Sequence, residues 1–256
     1  MNDEIIFSVD DGLAIVRLNR PERMNAFTFT MIDAWADFLV RCRTDDAVKV
    51  IMMTGTGNAF CSGGDIVEMG DRLDQEPLQR KEELFERVQR IPLALADLDK
   101  PVIAAVNGVA TGAGMDLALM CDLRYATRAA RFAETYLRVK LVPGAGGSYF
   151  LPRIVGAAKA LELFLTGKFV DAEEAKRLGI VNDVFDDDIF MTEVERLARH
   201  IVEKSSIGSR MIKRAINQTL NQDLRTHLDM VSSHYAVVTA TQEHKAAVAD
   251  FIRSRV

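Results

Sequence analysis

Apolar residues along the chain recur with two different periods, and these periods divide it into strands and helices. Ile5 to Val9 and Leu13 to Leu18 read as two strands joined by a tight turn at Asp10-Asp11-Gly12, with Pro21 closing the second. From Thr28 to Cys42 the apolar positions Met31, Ile32, Trp35, Phe38 and Leu39 fall three or four apart. That spacing predicts an amphipathic helix, with Thr28 or Thr30 as its N-cap. Val48 to Thr54 is a short apolar, β-rich run and predicts a buried strand.

A loop, GTGNAFCSGGD, turns helical from Asp65, and the polar stretch Asp71 to Arg80, interrupted by Pro77, predicts an exposed, mobile connection. Glu82 to Leu98 returns to a helical period. PVIAAV predicts a strand ending at Asn107-Gly108, TGAG leads into a helix over Met115 to Met120, and Asp122 to Thr127 predicts another strand. From Gly146 the pattern is mainly helical, through Ala172 to Leu178 and from Asp187 to Arg255. The coarse expectation is a β-containing core with a helical C-terminal third packed on it.

Composition narrows the function classes. Of 256 residues, 48% are hydrophobic and 27% charged, so the chain can bury a core without disulfides or metals. A net charge of −5 provides no basic field for nucleic acid, so an anionic ligand must be met locally. Cys42, Cys61 and Cys121 fit neither a disulfide framework nor a zinc set and are expected as buried thiols in a reducing, cytoplasmic setting. The opening MNDEIIFSVDDG has no basic and apolar leader pattern, and no apolar run is long enough to span a bilayer. His200, His227, His234 and His244 lie away from the glycine-rich turns and make no metal spacing. Ser62 has no nearby histidine to activate it.

The chemistry points to two strand-to-helix turns, Cys61-Ser62-Gly63-Gly64-Asp65 and Thr111-Gly112-Ala113-Gly114-Met115-Asp116. Such turns aim free backbone N–H groups at a point where negative charge can sit. Neither has the spacing of a phosphate-binding loop. In order along the chain, NRPERMNAF (Asn19 to Phe27), FCSGGDIVEM, KPVIAAVNGVATGAGMDLALMCDLRYA, ARFAETYLRVKLVPGAGG and EHKAAVADFIRSR resemble the crotonase, or enoyl-CoA hydratase/isomerase, signature over essentially the whole chain.

That resemblance implies an α/β fold, a crotonase-like superhelix of repeated β-β-α turns over residues 1–190, with a C-terminal helical trimerisation or lid region over 191–256. It also implies a homotrimer or dimer of trimers, acting on acyl-CoA with no nucleic-acid or membrane partner. No separate cofactor is expected, since coenzyme A is part of the substrate. On the matching positions the N–H groups of Gly64 and Ala113 form an oxyanion hole. Arg23, Met24, Ala26, Asp65 and Ile66 make the CoA surface, and Phe251 with Arg253 reaches the CoA of a neighbouring subunit.

The chain departs from the family where hydratases carry two glutamates. Asp116 stands at the first position and Tyr136 at the second. An ordinary phenol stays protonated at neutral pH, so Tyr136 is expected to donate a hydrogen bond or wall the pocket. Asp116 becomes the single acid/base candidate, and Glu134, two residues before Tyr136, a possible compensation. Gly144 replaces the aspartate some isomerases use. The leading expectation is hydration of an α,β-unsaturated acyl-CoA. Double-bond isomerisation through Asp116 alone is the alternative, and acyl-CoA binding with little catalysis a third. Tyr149 and Phe150, with Tyr136, hint at aromatic walls.

Overall fold

The computed structural model describes residues 4–204 and 206–254. Strands β1 (Ile5–Asp10) and β2 (Gly12–Leu18) form the expected antiparallel hairpin. Helix α1 (Phe29–Thr44) follows, its Thr28 N-cap accepting from the Met31 N–H. It buries Met31, Ile32, Trp35, Phe38 and Leu39 on one face, about 1.5–3 kcal/mol for each large side chain taken from water.

A repeating unit then begins. β3 (Val48–Gly55) is followed by the short β4 (Ala59–Cys61) and α2 (Ile66–Gly70), then α3 (Pro77–Glu83), a π-helical turn at Leu84–Val88 and α4 (Arg90–Ala96). β5 (Val102–Val106), β6 (Val109–Thr111) and α5 (Ala113–Leu119) repeat it. β7 (Leu123–Thr127) and β8 (Arg131–Ala133) begin a third unit that ends in a 3-10 turn, Tyr136–Val139.

The first strand of each unit joins a six-stranded sheet in the order β1-β2-β3-β5-β7-β10, where β10 is Asp183–Phe185. The second strand joins a four-stranded sheet, β4-β6-β8-β9, where β9 is Val170–Asp171. Asn107 pins one corner between them: its Oδ1 accepts from the Gly55 N–H at 3.0 Å, and its amide donates to Gly57 and Ala59 carbonyls. This alternation is the expected β-β-α superhelix.

The remaining helices are α6 (Gly147–Val155), α7 (Ala157–Thr166), α8 (Ala172–Arg177), α9 (Phe190–Lys204), α10 (Ile207–Gln218), α11 (Leu224–Thr239) and α12 (Gln242–Arg253). The boundary expected at residue 190 falls at the head of α9. That helix packs Phe190, Val194, Ala198 and Val202 onto Leu13, Val50, Met52 and Ile103 of the large sheet. Helices α10, α11 and α12 bury no residue fully and expose Ile212, Ile216, Leu224 and Leu228. Arg255 and Met1 to Asp3, which the sequence reading included, lie outside the described residues.

Two expectations need correction. The polar segment before Glu82 is not a plain connection, because Pro77 starts α3. Proline suits the first helical position, where its missing N–H would have no partner anyway. The second sheet was also invisible in the sequence, since strands of two or three residues carry too few positions to show a period.

Candidate active site

The two glycine-rich turns meet backbone to backbone. A Cβ built on Gly114 would stand 2.0 Å from the Cys61 carbonyl oxygen, so only glycine lets the turns approach this closely. The Thr111 hydroxyl donates to the Ser62 carbonyl at 3.1 Å and ties the turns together. Phe27 brackets the first turn, its N–H donating to the Gly63 carbonyl and its carbonyl accepting from the Asp65 N–H, both at 2.9 Å. This pairing turns the Gly64 N–H the other way. Neither it nor the Ala113 N–H donates to another residue across these turns.

Gly64 and Ala113 both line one cleft of about 520 Å³, lined as well by Met24, Ile66, Tyr136, Leu141 and Phe169. A side chamber of about 290 Å³ shares Phe27, Gly64, Met69, Leu84, Val88 and Leu141 with it. The segment after α2 lines this chamber with Arg72, Gln75 and Arg80. Arg72 lies over the Phe29 ring and pairs with Glu68 and Glu83.

Behind the cleft sit three groups that could move a proton. Tyr136 lines the cleft, and its hydroxyl donates to Asp116 Oδ2 at 2.5 Å. Asp116, on α5, is 0% exposed and does not line the cleft. Burial pushes its carboxyl up to about 6, against the opposing help of the Tyr136 hydroxyl, the Gly147 N–H and Glu134. Glu134, at the end of β8, is also 0% exposed, and burial with the neighbouring Asp116 charge raises it to about 9. Tyr136 is itself pushed well above the usual phenol range by burial and by Asp116.

Gly147 closes the pocket around Asp116, since a Cβ there would stand 2.0 Å from Asp116 Oδ1. The PGAGG run therefore supplies space for the carboxylate at its last position. Gly144 also lines the cleft.

The structure brings Gly64, Ala113, Tyr136, Met24 and Ile66 together, with Asp116 one hydrogen bond behind them. Asp65 lines the side chamber, caps α2 through the Val67 and Glu68 N–H groups, and pairs with Arg20 at 2.8 Å. Burial works to raise its pKa, but the Arg20 and backbone hydrogen bonds outweigh it and hold the carboxyl below the ordinary range. Arg23 is exposed in the 3-10 turn Pro21–Arg23, and Ala26 is buried with its carbonyl accepting from Arg20. Neither lines the cleft, and neither do Phe251 and Arg253 on α12. Tyr149 and Phe150 pack against each other outside it; the aromatic walls are Phe27, Tyr136 and Phe169.

Sequence reasoning missed Arg20 and Gly147. Arg20 stood within the quoted NRPERMNAF motif, but a partly buried ion-pair partner 45 residues away leaves no local signal. Glu134, the possible compensation named from the sequence, is fully buried and does not line the cleft. All three cysteines are buried, and burial pushes the Cys61 thiol up to about 12. Among the described residues no group of three His, Cys, Asp or Glu side chains is arranged to hold a metal ion, and no helix is long and apolar enough to cross a membrane.

Known proteins match this chain along nearly its full length. The chain is 36% identical to the 1,2-epoxyphenylacetyl-CoA isomerase of Escherichia coli, over 100% of this chain and 97% of that one. It is 32% identical to the crotonyl-CoA hydratase of Syntrophomonas wolfei, over 99% and 96%. An enoyl-CoA hydratase/isomerase structure from Cupriavidus metallidurans superposes with a TM-score of 0.92 at 31% identity, covering 98% of this chain and 94% of the other. The profile of the enoyl-CoA hydratase/isomerase family spans residues 8–255. With two facing glycine-rich turns, a β-β-α superhelix and relatives matched end to end, this chain belongs to the enoyl-CoA hydratase/isomerase family and is an enzyme of that kind.

Proposed function

We propose that the enzyme shifts a double bond along an acyl-CoA thioester by moving one proton through an enolate. The observation that carries this reading is that, among the described residues, no carboxylate lines the main cleft, while Tyr136, which does, is hydrogen-bonded to Asp116 behind it. The leading expectation from sequence was hydration. Holding and activating water calls for two acid/base groups around it, and here the second glutamate position is occupied by the phenol itself. Isomerisation needs only one group that takes a proton from Cα and returns it at Cγ.

The thioester oxygen accepts from the Gly64 and Ala113 N–H groups, which stabilise the enolate as the Cα proton leaves. Losing one such donor removes about 2.7–4 kcal/mol of barrier lowering. The Tyr136 oxygen takes the Cα proton while its own proton passes to Asp116 Oδ2. The return transfer reverses both moves at Cγ. Asp116 must begin charged, so turnover rises with pH through about 6. Coenzyme A enters as part of the substrate, and no other cofactor takes part in this scheme.

The subunits are proposed to assemble through α10 to α12, whose exposed Ile212, Ile216, Leu224 and Leu228 support an interface.

The test is turnover of 3-enoyl-CoA, followed by the 2-enoyl absorbance and by deuterium uptake from solvent at Cα and Cγ. Isomerisation with exchange at both carbons supports the reading. Hydration of crotonyl-CoA at a higher kcat/KM than isomerisation overturns it in favour of the hydratase.

A further inference from the structure

Asp116 and Glu134 are two fully buried carboxyls on neighbouring elements, and no lysine or arginine among the described residues bears on either. Two adjacent buried carboxylates without a cation cannot both hold charge. One must keep a proton. Tyr136 already directs its hydroxyl to Asp116 Oδ2, so Asp116 has a donor that favours its charge. Both Glu134 oxygens are buried without a hydrogen-bond partner, and among the described residues the Gly147 N–H is the one protein donor besides Tyr136 that bears on Asp116. Buried carboxyl oxygens short of a donor are costly unless a proton stands among them. Glu134 bearing that proton answers the need: one oxygen becomes a donor, and Asp116 Oδ1 is the nearby acceptor it serves.

We propose that Glu134 is a positioning residue, a neutral carboxylic acid that donates to Asp116 Oδ1 and completes a carboxyl–carboxylate–phenol chain ending at the cleft. The assignment rests on the proton-shift reading above. At rest the chain holds two protons, one on Glu134 and one on Tyr136. During turnover it holds a third, when the substrate's Cα proton lies on Tyr136 and the phenol's former proton lies on Asp116. Glu134 keeps its own proton throughout. It holds Asp116 charged between turnovers and aims Oδ2 at the phenol.

The groups facing Glu134 are few: Asp116 from α5, with Tyr136 from the 3-10 turn hydrogen-bonded to Asp116 and Gly147 from the head of α6 packed against it. Its raised pKa agrees with the neutral form at pH 7. The residue sits just before the phenol in ARFAETY, and only its burial separates it from an ordinary surface glutamate.

Three measurements test the chain together. Infrared difference spectra at pH 7 of wild type against Glu134→Gln should show a protonated carboxyl C=O band that the variant lacks. In kinetics, Glu134→Gln keeps an N–H donor for Asp116 and should hold the acid limb of kcat in place with a loss of ~3-fold. Glu134→Leu removes the donor, should move the acid limb up by ~1 unit and lower kcat ~100-fold, with KM little changed.

No band lost in Glu134→Gln, or an acid limb that falls in that variant as removal of a negative charge would cause, overturns the proposal. If Glu134→Leu does not fold, the infrared band and the Glu134→Gln profile still decide. The infrared result needs no turnover. A protein that shows the band but no isomerisation would therefore retain the neutral Glu134 and lose only the reaction assigned above.

Discussion

The two glycine-rich turns are alike in sequence and opposite in surroundings. The first leads into α2, five residues long and without a buried residue. Its acidic residue, Asp65, is ion-paired to Arg20 and occupied in capping the helix. The second leads into α5, which buries Gly114 through Leu119, and its acidic residue sits deep behind the cleft without a cation. Each contributes a residue, Gly64 or Ala113, to the lining of the same cleft. Only the second has a carboxylate whose pKa is free to be moved by burial toward neutrality. An ion pair fixes a charge for structure; a buried carboxylate without a cation stays available for proton transfer.

The contact between the turns is the place to break first. Gly114→Val should abolish activity and cost at least ~3 kcal/mol of stability, because its Cβ meets the Cys61 carbonyl, a backbone atom that cannot rotate away. Thermal denaturation beside turnover checks both effects. Next in size is the second turn's acid. Asp116→Asn should lower kcat ~10³-fold and leave acyl-CoA binding nearly intact, as judged by KM and direct titration. Tyr136→Phe removes the hydroxyl that reaches Asp116 and should cost ~10²-fold in kcat with the fold unchanged.

On the first turn, Arg20→Met leaves Asp65 partly buried without its cation. It should cost ~2 kcal/mol in denaturant unfolding and affect KM more than kcat. The smallest effect sharpens the contrast through pH. Glu134 and Asp116 have folded pKa values raised above their unfolded ones, so the folded state binds more protons. Their contribution to stability is full below the unfolded values and is lost as pH rises through about 6 and then about 9. Glu134→Gln should therefore flatten the decline, with the variant gaining ~1 kcal/mol on wild type between pH 6 and 8 in melting experiments.

Much of this was open to reading in the chain. The 3.6-residue stripe from Met31 to Leu39, the hairpin at Asp10 to Gly12 and the paired glycine runs each carry a local signal. Local geometry imposes it: a helix buries every third or fourth side chain, and a tight turn favours glycine. Gly64, Ala113 and Tyr136 could be named because motif positions map directly onto a shared cleft. Arg20, Gly147 and the second sheet could not. Their roles depend on partners far along the chain: Asp65 for Arg20, Asp116 for Gly147, and neighbouring short strands for β4, β6 and β8.

The sequence by itself determined the family, through its motif order, and the residue types available for chemistry. The superhelical architecture followed as what that resemblance implies, while periodicity and turn residues gave only the longer elements. Tertiary structure alone decided which carboxylate is ion-paired and which lie buried without a cation. Asp65, Asp116 and Glu134 carry the same functional group, and motif position separates them in the sequence without giving their burial or charge partners. The difference comes from burial and from the presence or absence of a cation, and both are set when distant segments pack.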